Sequence, residues 1–216
     1  MNALPRTVGF AVTWVFAIGL SFAADANSPG PWITLFDGKT LNGWKASEEP
    51  GSFEVEDGAI VANVKGNKRS HLFYETEKPF KDFEFEAEVK TMPGSNSGIY
   101  FQTEFQKDGW PGKGFEAQVN NSFPPDPRRT GSLYGIVDVA KPPVKDDEWF
   151  KYNLRVEGKH IVIKLDDKTV VDYTEPDQPK PSGGRKIDQG TFALQSHPDS
   201  SKVYYRNLKV RRLNEN

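Results

Sequence analysis

The chain has 216 residues, a formal charge of −2, 36% apolar and 27% charged side chains, and no cysteine. That length suffices for one well-buried domain but not comfortably two. The charge balance argues against nucleic acid or an anionic membrane as a partner, and the missing thiol excludes disulfides, thiolate metal sites and cysteine nucleophiles.

The first element is a leader. Arg6 precedes an apolar run over residues 8–22, followed by the small-residue sites Ser21-Phe22-Ala23 and Ala24-Asp25-Ala26. This is the three-part layout of a secretory signal peptide, and the run is shorter than the ~20 apolar residues a membrane span needs. Cleavage is expected after Ala23 or Ala26, with 24–32 as a short linker. The chain has no acceptor cysteine for a lipid anchor, so a periplasmic or secreted protein without a stable membrane anchor is expected. Loss of 1–23 removes Arg6 and no acid, moving the formal charge from −2 to −3.

Downstream of Pro31 the signal is β throughout. Phe53 to Val55 and Ile60 to Ala62 flank Glu56-Asp57-Gly58 and read as a hairpin. Phe83, Phe85, Ala87 and Val89 alternate with Glu84, Glu86, Glu88 and Lys90. The run 96–105 carries Asn96, Tyr100, Gln102 and Glu104 on one parity and Ile99, Phe101 and Phe105 on the other, joined there by Ser97 and Thr103. The run 115–121 repeats the pattern, with Glu116, Gln118 and Asn120 opposite Phe115, Ala117 and Val119. A meander over 152–171 turns at Glu157-Gly158-Lys159 and Asp166-Asp167-Lys168. The runs 191–196 and 203–210 close the chain. About ten or more short strands at this spacing predict a single all-β sandwich or jelly roll.

The polar parities of 96–105 and 115–121 hold carboxylates, amides and a tyrosine without lysine, the composition of a sugar-handling surface. A solvated sheet face is the plainer alternative. Loops 107–114 and 122–129 flank the second run and are placed to wall a pocket, with Trp110 as a stacking platform or as an anchor for its own loop. Glu116 and Glu104 are candidate bases, metal ligands or rim residues. His160 reads as surface, His71 can face either way, and His197 at a strand end is the best acid/base candidate among the histidines. The acidic strand Glu84-Phe85-Glu86-Ala87-Glu88 superficially suggests a glucanase carboxylate pair, but its strong apolar alternation reads as a solvent-facing strand surface.

Together these segments resemble the 3-keto-disaccharide hydrolase domain family. The residues that carry the resemblance are Leu35-Phe36-Asp37-Gly38-Lys39-Thr40-Leu41-Asn42-Gly43-Trp44, Asn96-Ser97-Gly98-Ile99-Tyr100-Phe101, Phe115-Glu116-Ala117-Gln118-Val119, Thr130-Gly131-Ser132-Leu133-Tyr134-Gly135 and Gly190-Thr191-Phe192-Ala193-Leu194-Gln195-Ser196-His197. The resemblance covers 33–213. It implies a concanavalin A-like jelly roll with its site on the concave sheet, and action on glycosides already oxidised to a ketone at C3. It further implies Glu116 or His197 as base or divalent-metal ligand, Tyr134 and Gln118 as hydrogen-bond donors, and Arg129 or Lys113 as enolate stabilisers. Gln102, Glu104, Asn120, Trp110 and His71 complete the expected carbohydrate contacts. Gln102, Asn120 and Asn121 depart from the residues many members carry there. The alternative reading is a non-catalytic carbohydrate-binding module, which the same fold supports.

Overall fold

The computed structural model describes residues 1, 29–64, 69–178 and 185–214. The expected leader beyond Met1 and the middle of loop 175–185 lie outside the described residues. The described strands form two antiparallel sheets, as the alternation predicts. The larger runs β11 (Lys168–Thr174), β10 (His160–Leu165), β9 (Phe150–Glu157), β6 (Phe83–Thr91), β13 (Lys202–Arg212), β4 (Ala59–Asn63), β3 (Phe53–Glu56), and β1 (Ile33–Thr34) also pairs with β13. The smaller runs β2 (Trp44–Ala46), β5 (Ser70–Tyr74), β12 (Thr191–Ser196), β7 (Ser97–Thr103), β8 (Phe115–Val119).

Alternation dictates which face each strand buries. In β6 the apolar parity is buried and packs on the smaller sheet, where Phe192 stacks on Phe85 with ring centroids 4.9 Å apart. Phe101 and Phe115 stack across β7 and β8 at 5.4 Å. Each buried phenylalanine contributes about 2–3 kcal/mol of transfer free energy, so this aromatic layer dominates the adhesion of the sheets. The opposite parity of β6 meets the cations of β13: Glu86 pairs with Lys209 at 2.8 Å and Glu88 with Arg206 at 2.7 Å. The acidic strand is therefore an outer surface braced by cross-strand ion pairs, not a catalytic pair.

β7 departs from strict alternation. Tyr100 pairs with Ala193, but Thr103 pairs with Thr191, so three steps along β7 match two along β12. This is a β-bulge, and Gln102 within it has φ of 51°. A one-residue slip exchanges the faces of everything beyond it. Thr103 and Phe105 therefore join Tyr100 on the outer face, while Gln102 turns away. Its amide donates to the carbonyls of Lys81 (2.9 Å) and Asp188 (2.7 Å) and accepts from the Asp188 amide at 3.1 Å. Gly114 and Gly190 let neighbouring backbone touch the bulge, since a Cβ would lie 2.2 Å from the Phe101 carbonyl oxygen and 2.3 Å from the Gln102 carbonyl carbon respectively.

β8 would be an exposed edge, but the segment 130–134 closes it. Gln118 donates its amide to the Ser132 carbonyl (2.9 Å), Gly131 to that of Gln118 (3.0 Å) and Tyr134 to that of Glu116 (2.9 Å). Every residue of β7 and β8 is consequently buried. The polar parity of β8 lies beneath loops rather than in open solvent, which is what changes its chemistry.

Candidate active site

Glu116 lies on the outer face of the smaller sheet, on its last strand β8, and is 5% exposed. Its position depends on a missing side chain in the next strand. A Cβ on Gly98 would lie 2.5 Å from Glu116 Oε1 and 2.9 Å from its Cγ, so glycine leaves the space the carboxylate occupies. Oε2 accepts from the Tyr100 hydroxyl and Oε1 from Gln195 Nε2, both at 2.9 Å. Burial pushes the carboxyl from its usual 4.5 up to about 7, against the opposing pull of Tyr100, Arg185 and Gln195. The Tyr100 hydroxyl is itself raised by burial and by the Glu116 charge, so it stays a proton donor.

This carboxylate opens on a cavity of about 330 Å³ that Gln118, Asp126, Tyr134, Arg185, Trp110 and His197 also line. Gln118 Nε2 faces three acceptors, with Asn96 Oδ1 at 3.1 Å, the Arg128 carbonyl at 3.4 Å and Asp126 Oδ2 at 3.5 Å. The Tyr134 hydroxyl is raised by burial and by Asp126, while the Arg128 guanidinium lies 4.6 Å over its ring and opposes the shift. His197 packs edge-on against Trp110 at 5.0 Å. Burial, then Arg69, hold its imidazole below the usual value, so it is neutral at pH 7. Trp110 is 44% exposed and has the Arg69 guanidinium 5.0 Å from its ring. It is therefore both a cavity wall and an anchor for its loop.

Of the expected site residues, Glu116, Tyr134, His197, Gln118 and Trp110 converge here. Five do not. Gln102 is turned away by the bulge, and Glu104, beyond the same slip, is an exposed side chain 3.6 Å from Lys113. Lys113 also pairs with Asp188 at 3.8 Å and does not line Glu116's cavity. Arg129 spends its guanidinium on Asn120 Oδ1 (3.1 Å) and the carbonyls of Phe123 (2.7 Å) and Asp126 (2.9 Å). Asn120 donates to the Asp126 and Arg128 carbonyls, so both residues hold loop 122–129 in shape. His71 is fully buried beneath Trp110, their rings 5.8 Å apart, and does not line the cavity.

Asp126 and Arg185 escaped the sequence reading. Both lie in loops, where alternation carries no signal. A usable clue was an acid held among Pro124, Pro125 and Pro127 beside the polar strand. Among the described residues no group of three or more His, Asp or Glu side chains is placed to hold a metal ion.

The family model for the 3-keto-alpha-glucoside-1,2-lyase-like domain matches residues 31–211. A 3-keto-disaccharide hydrolase of Bacteroides thetaiotaomicron is 26% identical over 229 aligned positions, covering 83% of this chain and 78% of that protein. A provisionally named glycosyl hydrolase from Parabacteroides distasonis superposes with a TM-score of 0.65 at 26% identity, covering 85% of this chain and all of the other. The carbohydrate-binding module CBM66 of Bacillus subtilis shares the fold, with a TM-score of 0.55, 15% identity, and coverage of 79% and 96% of the two chains.

Proposed function

Because the chain belongs to the 3-keto-alpha-glucoside-1,2-lyase-like domain family, we propose that it cleaves the glycosidic bond of 3-keto-glycosides, with Glu116 as the base that removes the C2 proton. The observation that carries this reading is one buried carboxylate, raised to about 7 and held by two hydrogen bonds on the floor of a cavity. A base poised near the working pH balances availability against proton affinity.

The chemistry follows from the ketone. A C3 carbonyl acidifies the C2–H, and Glu116 takes that proton while the C2 electron pair moves into the carbonyl to give an enolate. Arg185, a cation lining the cavity, stabilises the developing negative charge, and the amide of Gln118 adds a dipole. The enolate collapses, the C1–C2 double bond forms and the C1 oxygen leaves. Tyr134, kept protonated by burial and Asp126, supplies the proton to the leaving oxygen. Water then adds at C1, activated by neutral His197, which passes the proton it takes on to the Tyr134 phenolate, and Glu116, its proton exchanged with solvent in the interval, returns one to C2. No second carboxylate flanking C1 is required, unlike direct displacement. Residues 1–23 act as the export signal in this reading, placing the reaction outside the cytoplasm.

The deciding experiment offers the purified mature protein a 3-keto-disaccharide and its unoxidised parent in heavy water. Cleavage of the keto-sugar alone, with deuterium at C2 of the product, is expected. Glu116→Gln should slow turnover about 10²–10⁴-fold. Cleavage of both sugars without C2 label would mean displacement at C1, and binding without turnover would make the protein a binding module.

A further inference from the structure

A second cavity of about 330 Å³ opens on the same outer sheet face, and the catalytic reading does not use it. Phe73, Tyr74, Thr103, Glu104, Phe105 and Lys113 are among its walls. We propose that it binds a further hexopyranosyl ring of the substrate, so that the enzyme acts on chains longer than a disaccharide. This deepens the proposed reaction and rests on it.

Position is the first argument. Tyr100 lines the first cavity and Phe73 the second, and the two pack with Ala193 in one buried cluster, so the cavities share a wall. Tyr100 and Thr103 are three residues apart on β7 but, across the bulge, match a two-residue advance of β12, about 7 Å along the strand. An oligosaccharide lying along β7 with one ring over Glu116 reaches the second cavity with a later ring.

Chemistry is the second argument. The Thr103 hydroxyl is 1% exposed and, among the described residues, has no hydrogen-bond partner. A buried unpaired hydroxyl costs about 1–3 kcal/mol, which a ligand hydroxyl would recover. Thr103 lines this cavity only because of the bulge at Gln102. Beside it Phe105, 42% exposed, stands edge-on to Phe73 at 5.4 Å with the Lys45 ammonium 4.1 Å from its ring centre. Lys113 and Glu104 add a donor and an acceptor 3.6 Å apart at the rim. An aromatic wall, one buried hydroxyl and a charged donor–acceptor pair match a ring with C–H faces and equatorial hydroxyls. A simple anion is disfavoured by Glu104 and Glu75, and a purely apolar ligand would leave Thr103 unpaired.

The test compares kcat/KM for a keto-trisaccharide and a keto-disaccharide with the same scissile linkage, in the wild type, Thr103→Val and Phe105→Ala. We expect the three-ring substrate to be favoured about tenfold by the wild type and the ratio to fall to near one in both variants. A ratio of one in the wild type, or a ratio unchanged in both variants, overturns the subsite. Calorimetric binding of the unoxidised trisaccharide separates the two readings should the wild type turn over neither keto-sugar. Weaker binding by folded Thr103→Val and Phe105→Ala than by the wild type then keeps the subsite and discards the reaction, whereas equal binding by all three discards the subsite.

Discussion

At the scale of single residues, Glu116 and Gly98 act as one unit. Gly98→Ala introduces a methyl group into the space of Glu116 Oε1. Gly98→Ala is expected to lower kcat more than tenfold while leaving the fold intact, which initial rates and a melting curve will separate. The raised carboxyl also fixes a pH dependence. As the proposed base, Glu116 must be deprotonated to act, so the rate should climb as pH rises through about 7 and fall below it. Stability moves the other way: a carboxyl whose folded pKa exceeds its unfolded one favours the fold fully below pH 4.5, and that contribution is lost as pH rises through about 7. Glu116→Gln should therefore be more stable than the wild type at pH 8, by on the order of 3 kcal/mol, and close to it at pH 4. Equal denaturation midpoints at pH 8 would contradict this. His71 has the opposite sign. Burial, then Arg69, depress it to about 3, so its contribution is present above pH 6.5 and lost as pH falls. In the Glu116→Gln background, stability should thus decline from pH 6.5 towards 5.

At the scale of elements, the strands were legible because each buries one face and period two records that choice. The hairpin at Glu56-Asp57-Gly58 and the turns at Gly158 and Asp166-Asp167 followed from turn chemistry, and the structure pairs the flanking strands as expected. The bulge in β7 was not legible. Nothing in Phe101-Gln102-Thr103 announces a slip, which depends on Gly114 and Gly190 packing against it and on two distant loops that Gln102 ties down. Strict alternation therefore put Gln102 and Glu104 with Tyr100, and the site lost them. The same blindness applies to Asp126, Arg185, Arg129 and Lys113, which lie in loops between the strands, where period two carries no signal. Gln102→Ala breaks three hydrogen bonds and leaves the Lys81 and Asp188 carbonyls without it. A loss of about 1–3 kcal/mol is expected in urea denaturation. If that variant is as stable as the wild type, the clamp contributes nothing.

For the molecule as a whole, the two sheets share one continuous core, from Trp44 and Phe53 to Leu208 and Val210. With no disulfide to rearrange, it should melt in one transition that reductant does not move. The strand that carries Glu116, β8, is the outermost of its sheet, and its free edge is held by the short segment 130–134 rather than by another full strand. Such edges open locally at lower free energy than the core. That segment also delivers Tyr134, whose amide is tied to the carbonyl of Glu116. When it frays, the proposed base and proton donor lose their alignment together while the sandwich stays folded. On brief heating, activity should consequently vanish several degrees below the calorimetric midpoint and return on cooling. The enzyme would then carry its own thermal cut-out, set by a few backbone hydrogen bonds at one edge and not by the stability of the fold.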